Sequence, residues 1–122
     1  MSKQSLVLYS YSKCSTCRAA SRWLAEHGIR VDERPIYERP PGVTELRRML
    51  RFQEGNLRRL FNTSGIQYRA QGLAEKLPSL SEDEALALLA NEGRLVKRPF
   101  LLADTFGLLG FEEATWAARL GE

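Results

Sequence analysis

Two cysteines stand three residues apart in Cys14-Ser15-Thr16-Cys17-Arg18, where a short apolar run gives way to a helical pattern. A cysteine at such a junction meets the unpaired N–H groups and the positive end of the helix dipole. That position favours the thiolate, which is the nucleophilic form of the side chain. Cys17 lies one turn further along the same face, so it can attack a mixed species on Cys14 and release it as a disulfide. Cys14 is thus expected to attack and Cys17 to resolve. The same N–H groups, with the hydroxyls of Ser15 and Thr16, form a cradle for an oxyanion. The competing view makes both cysteines small buried hydrophobes. Spacing, helix position and the lack of flanking apolar bulk favour reactivity. Arg18 is either an anion ligand or a solvated helix residue.

The second chemical element is Lys97-Arg98-Pro99-Phe100, in which a proline opens an apolar strand. A proline at that point is a candidate for a cis peptide bond. Arg98 would then point at Cys14, favouring its thiolate and forking onto a bound oxyanion or carboxylate. Without the fold described next, Arg98 would be an ordinary surface arginine.

The elements that must position these residues follow from patterning. Ser5 to Ser10 reads as a strand covered on both faces. Ser15 to His27 carries Ala19, Ala20, Trp23 and Leu24 at helical spacing, with Gly28 as the residue that ends the helix and His27 as a cap. Trp23 is expected in the core. A more peripheral strand is expected within 29–37, ended by Arg39-Pro40-Pro41-Gly42. Val43 to Phe52 is an amphipathic helix with Val43, Leu46, Met49 and Leu50 on one face and arginines on the other. A short helix is expected over 56–61. Ser81 and Glu84 form a capping box for a helix that Gly93 ends. Phe100 to Ala103 and Leu108 to Phe111 fit a hairpin, and Glu112 to Leu120 a closing helix with acidic residues in its first turn. The order β-α-β, then helices, then β-β-α is that of a thioredoxin-like fold, an α/β architecture on a mixed four-stranded sheet with a helical insert between its halves. The expected organisation is one domain over 1–122, with a core of about 5–37 and 94–120 and an insert of about 43–93.

Composition excludes other classes. A chain of 122 residues with 43% hydrophobic content builds one core of ordinary size. Leu6 to Tyr9 is too short for a secretory segment, and no run approaches a membrane span, so the expected location is the cytoplasm. Two cysteines and the single His27 cannot complete a Cys/His zinc site within one chain, so no metal is expected. In a reducing cytosol the two cysteines should not be a permanent staple. The net charge of +3 is low for a direct nucleic-acid binder, and none is expected. The stretch 45–59, with five arginines against two glutamates, accounts for the whole surplus. Such a run is a solvated helix face or, as the alternative, a docking patch for an acidic partner.

Tyr9-x4-Cys14-x2-Cys17-Arg18, Leu60-Phe61-Asn62-Thr63, Gly72-Leu73-Ala74-Glu75 and Arg98-Pro99 together resemble the ArsC family over about Leu6 to Leu120. That family includes glutaredoxin-linked arsenate reductases, the YffB proteins and the Spx regulators. The resemblance implies a nucleophilic Cys14, an anion-facing Arg98 before a cis Pro99, and a thiol-binding or anion-binding role for Asn62 and Pro99. It also implies no tightly bound cofactor, glutathione or another thiol donor as co-substrate, and glutaredoxin or thioredoxin as a reducing partner to a monomeric protein. The arsenate reductases have Gly and Ser where this chain has Ser15 and Cys17. They also carry arginines at the positions of Asn62 and of the hairpin near Leu108 to Gly110. Each bidentate arginine contact to an oxyanion contributes roughly 1.5–3 kcal/mol, so the two missing arginines weaken the expectation of tight arsenate binding. Asn62-Thr63 and Leu108 to Phe111 look more like YffB, a glutathione-dependent thiol reductase. The Cys-x-x-Cys and Trp23-Leu24-x-Glu26-His27 look more like Spx, a redox-sensing regulator that binds the RNA polymerase α subunit by protein contacts. The expected function is a thiol-dependent reductase, with Cys14 attacking an oxyanion or a disulfide. The alternative is a redox-switched regulator.

Overall fold

The structure, a computed structural model, describes residues 5–121. Its sheet is built on β1 (Val7–Ser10), which lies between β2 (Asp32–Pro35) and β3 (Phe100–Leu102), with β4 (Gly107–Leu109) beyond β3. β1 runs parallel to β2 and antiparallel to β3, and β3 and β4 form an antiparallel hairpin. The mixed four-stranded sheet expected from the order of elements is therefore present. Pairing confines β1 to four residues and β3 to three, fewer than expected for either, and β4 begins at Gly107, one residue before the expected strand. β2 in particular is a four-residue edge strand that ends on a proline, a residue that edge strands accept.

Side-chain alternation along the strands divides the apolar residues between two cores. Leu8, Leu101 and Leu108 face Ala20, Trp23 and Leu24 of α1 (Ser15–Glu26) and Trp116 of α6 (Glu113–Leu120). Tyr9, Phe100 and Leu102 face the opposite side, where they meet α2 (Val43–Phe52) and α5 (Glu82–Asn91). Between α2 and α5 the chain forms a 3-10 turn at Leu57–Leu60 and two short helices, α3 (Ile66–Ala70) and α4 (Leu73–Lys76). Neither short helix was evident from periodicity, because each is hardly longer than one turn.

The caps follow the local chemistry. Gly28 adopts φ +67 after α1, and the Nδ1 of His27 bonds the Trp23 carbonyl at 2.8 Å while its ring stacks on Trp23. Ser81 and Glu84 make the reciprocal capping box of α5. α5 ends at Asn91 with Glu92 as its cap, so Gly93 follows the helix as expected, though not in a left-handed conformation. It starts a 3-10 turn, Gly93–Leu95, and is buried against β2's exit, where an added Cβ would stand 2.0 Å from the Ile36 carbonyl oxygen. Close approach, and not helix termination, requires glycine here. Gly93→Ala is expected to lower unfolding free energy by about 3 kcal/mol, as overpacking against backbone does. A urea midpoint equal to that of the wild type would contradict the packing.

Candidate active site

Cys14 is the N-cap of α1, in extended conformation with φ −93 and ψ 119. Two contacts hold it there. Its N–H donates to the Tyr11 carbonyl at 3.0 Å, and the Arg18 guanidinium donates to the Ser12 carbonyl, also at 3.0 Å. The middle of α1 is tied to the sheet by Glu33, whose carboxylate accepts from Ser10 at 2.6 Å and from Ser21 at 3.1 Å. Arg18 thus braces the loop that presents Cys14. Ser15 and Thr16 are exposed in the first turn of α1, which contains no acidic residue to compete for its N–H groups.

The Cys14 sulfur accepts from the Cys17 N–H at 3.4 Å. Burial alone would raise its pKa. The Cys17 thiol and N–H, the Arg98 charge and the Thr16 N–H outweigh that penalty and hold it below the ordinary thiol value. Cys17 behaves oppositely. It is only 1% exposed, and burial, together with the neighbouring Cys14, pushes its pKa up to about 12. Of the two, Cys14 is therefore the more readily ionised, and Cys17 stays a protonated thiol beside it. Both are free cysteines.

The Arg98-Pro99 peptide is cis. Arg98 lies near the stacked rings of Tyr11 and Tyr37, with its Cζ 5.6 Å and 5.3 Å from the two centroids. Those nearly equal distances, from rings only 4.1 Å apart, put the guanidinium beside the stack and not over either face. The rings wall it in while giving little cation–π attraction. Its Nε and Nη1 are buried and have no hydrogen-bond partner. A buried guanidinium with unused donors is costly unless a ligand completes it. Tyr11 and Tyr37 were not singled out from the sequence. They become neighbours only because β1 and β2 pair in parallel.

Arg98 also lines a cleft of about 360 Å³ with Tyr37, Asn62, Ser64, Gly65, Ile66, Gln67 and Arg94. Asn62 and Arg98, far apart in sequence, meet there. Gly65 packs closely in that wall: a Cβ there would stand 2.7 Å from the Asn62 amide nitrogen and would displace that side chain. Arg94 is not free, since Glu92 holds it in a fork at 2.8 and 3.0 Å. A larger cleft of about 550 Å³, near β4 and α6, contains neither cysteine nor Arg98, so size alone does not mark the site. Among the described residues no cluster of three or more His, Cys, Asp or Glu is arranged to hold a metal ion, and no helix is long and apolar enough to cross a membrane.

The arginine-rich face expected over 47–59 is divided by the tertiary structure. Arg47 pairs with Glu82 and, at 3.0 Å, with Asp83 at the start of α5. Arg48 donates to the Ala103 carbonyl at 2.7 Å. Arg58 and Arg59 leave α2 altogether and belong to the 3-10 turn. These residues do not form one continuous basic stripe.

A mixed sheet in the order β2-β1-β3-β4, a Cys-x-x-Cys at the start of α1 and a cis proline before β3 define a thiol protein of thioredoxin-like fold. A model of the ArsC family matches residues 9–119, and the chain belongs to that family. The uncharacterized Bacillus subtilis protein YusI is 46% identical over 109 residues, covering 89% of this chain and 92% of YusI. The global transcriptional regulator Spx of Listeria innocua is 29% identical over 108 residues, covering 88% of this chain and 81% of Spx. Among solved structures, a possible arsenate reductase from Streptococcus mutans is 39% identical with a TM-score of 0.88, covering 97% of this chain and 100% of that one. An arsenate reductase from Vibrio cholerae is 26% identical with a TM-score of 0.75, covering 87% of this chain and 89% of that one. Reductase-like structures and regulators both stand among the relatives.

Proposed function

We propose that this protein is a thiol-dependent reductase. Cys14 attacks an oxyanion or disulfide substrate, Arg98 and the start of α1 stabilise the anion, and Cys17 or an external thiol completes the turnover. The observation that carries this reading is Arg98. Its charge favours the Cys14 thiolate, while its buried Nε and Nη1 are left without partners, as expected of a guanidinium that waits for an anionic ligand. Ser15, Thr16 and Asn62 supply further polar contacts, and a thiol such as glutathione, or glutaredoxin or thioredoxin, returns the cysteines to the reduced state. The test is turnover of arsenate and of glutathione disulfide by the wild-type protein, with glutathione, glutaredoxin and thioredoxin each as donor. Turnover with at least one pair, through an adduct on Cys14, supports the reading. No turnover with any pair and no adduct on Cys14 sinks it.

The regulator relatives favour a second reading, a redox-switched binding protein whose Cys14–Cys17 bridge alters a contact with the RNA polymerase α subunit. Division of the basic face weakens the particular docking surface once expected for it. Co-purification with the α subunit in only one redox state would favour this reading. Failure to bind in either state removes it.

A further inference from the structure

Resting on the reductase reading, we infer that the cleft beside Arg98 receives a carboxylate-bearing organic disulfide and not a bare tetrahedral oxyanion. Charge is the first ground. A doubly charged oxyanion asks for several free cations, yet among the residues that line the cleft only one is unpaired. Arg94 is forked onto Glu92, Asn62 is neutral, and Arg98 alone remains. The unpartnered donors of Arg98 match one carboxylate instead.

Shape is the second ground. The cleft of about 360 Å³ is far larger than one ion, and Cys14 does not line it. Its rim carries Ile66, a large apolar side chain left 78% exposed, and its wall includes Tyr37. Apolar area beside a single cation suits an organic body with one anionic end. Arg98 connects the two compartments, acting electrostatically on Cys14 and lining the cleft.

The reaction balances without a further reactant. The Cys14 thiolate attacks one sulfur of the disulfide, that S–S bond breaks, and the first thiolate leaves to take a proton from water. Cys17 then gives its proton to water and attacks the Cys14 sulfur, expelling the second thiolate. The substrate gains two electrons and the protein is left with a Cys14–Cys17 disulfide.

The test follows loss of the Cys14 thiol by mass spectrometry in a single turnover of the full, reduced chain. Glutathione disulfide is compared with neutral bis(2-hydroxyethyl) disulfide, each rate divided by that of the same disulfide with free cysteine. Glutathione disulfide is expected to lead by about tenfold or more, the factor that one charge-assisted contact supplies. Ile66→Asp, which changes an exposed side chain, is expected to slow glutathione disulfide several-fold and leave the neutral disulfide unchanged. Equal normalised rates overturn the inference, as does a glutathione rate untouched by Ile66→Asp or an equal loss with both disulfides. Stronger competition by arsenate than by glutathione likewise overturns it, in favour of the oxyanion. In each of these cases exchange at Cys14 itself survives. If neither disulfide reacts faster with the protein than with free cysteine, the reductase reading is what fails.

Discussion

Cys14→Ser is expected to abolish reduction, with kcat/KM falling at least about a thousandfold, because a serine hydroxyl in this position has no base to ionise it. The N–H groups of Thr16 and Cys17 and the charge of Arg98 act on a sulfur that is nearly ready to ionise. They are far too weak to ionise an alcohol. The substitution should not harm the fold. Residue 14 caps α1, and serine is among the preferred N-cap residues, so the urea midpoint should be equal or higher. Loss of activity together with retained stability marks Cys14 as the nucleophile. Activity within tenfold of the wild type would show that the attacking group lies elsewhere.

Arg98→Met is expected to slow reaction of Cys14 with disulfides by about a hundredfold, the scale on which loss of one preorganised donor or charge is felt. The sign of its pH effect follows from the direction of the Cys14 shift. Arg98 helps to lower that pKa, so its removal should move the midpoint of Cys14 alkylation against pH upwards. The wild-type midpoint should lie below the ordinary thiol value, with alkylation slowing as pH falls through it. Cys17, held at about 12, should stay unmodified over that range. Stability should move the other way from activity. The guanidinium buries two donors without partners, and replacing such a group by a flexible apolar chain removes that penalty. The expected urea midpoint is unchanged or raised. A large loss of stability in Arg98→Met would mean that the residue is structural, and an unmoved alkylation midpoint would remove it from the thiol site.

Much of the scaffold could be read locally. Hydrophobic periodicity marks α1, α2 and α5, the capping box marks the start of α5, and Gly28 ends α1, because each depends on residues within a turn of one another. The Cys-x-x-Cys lies at a strand-to-helix junction, so the position of Cys14 at the start of α1 was legible before any packing was considered. The short helices α3 and α4 were not, since a single turn leaves no repeat to detect. α5 ends just before Gly93 as expected, but the reason for glycine there was not legible, because the same residue type serves helix ends and close backbone approach and only the Ile36 carbonyl distinguishes them.

The sequence by itself determined the candidate cysteine pair, the order of the main elements and hence the fold, and Arg98 before a proline as the residue whose charge acts on Cys14. These follow from near-neighbour patterns and from the few topologies that such an order allows. Only the tertiary structure decided which charges are free. Arg47 pairs with Glu82 and Asp83, Arg48 bonds a carbonyl of β3's exit, and Arg94 pairs with Glu92, while Arg98 keeps unused donors beside the Tyr11–Tyr37 stack. An arginine's role depends on which acceptors surround its guanidinium, and a long flexible side chain can reach acceptors that chain folding brings from far along the sequence. Counting charges along the chain therefore located the surplus, but not the arginine whose buried donors stay unpaired.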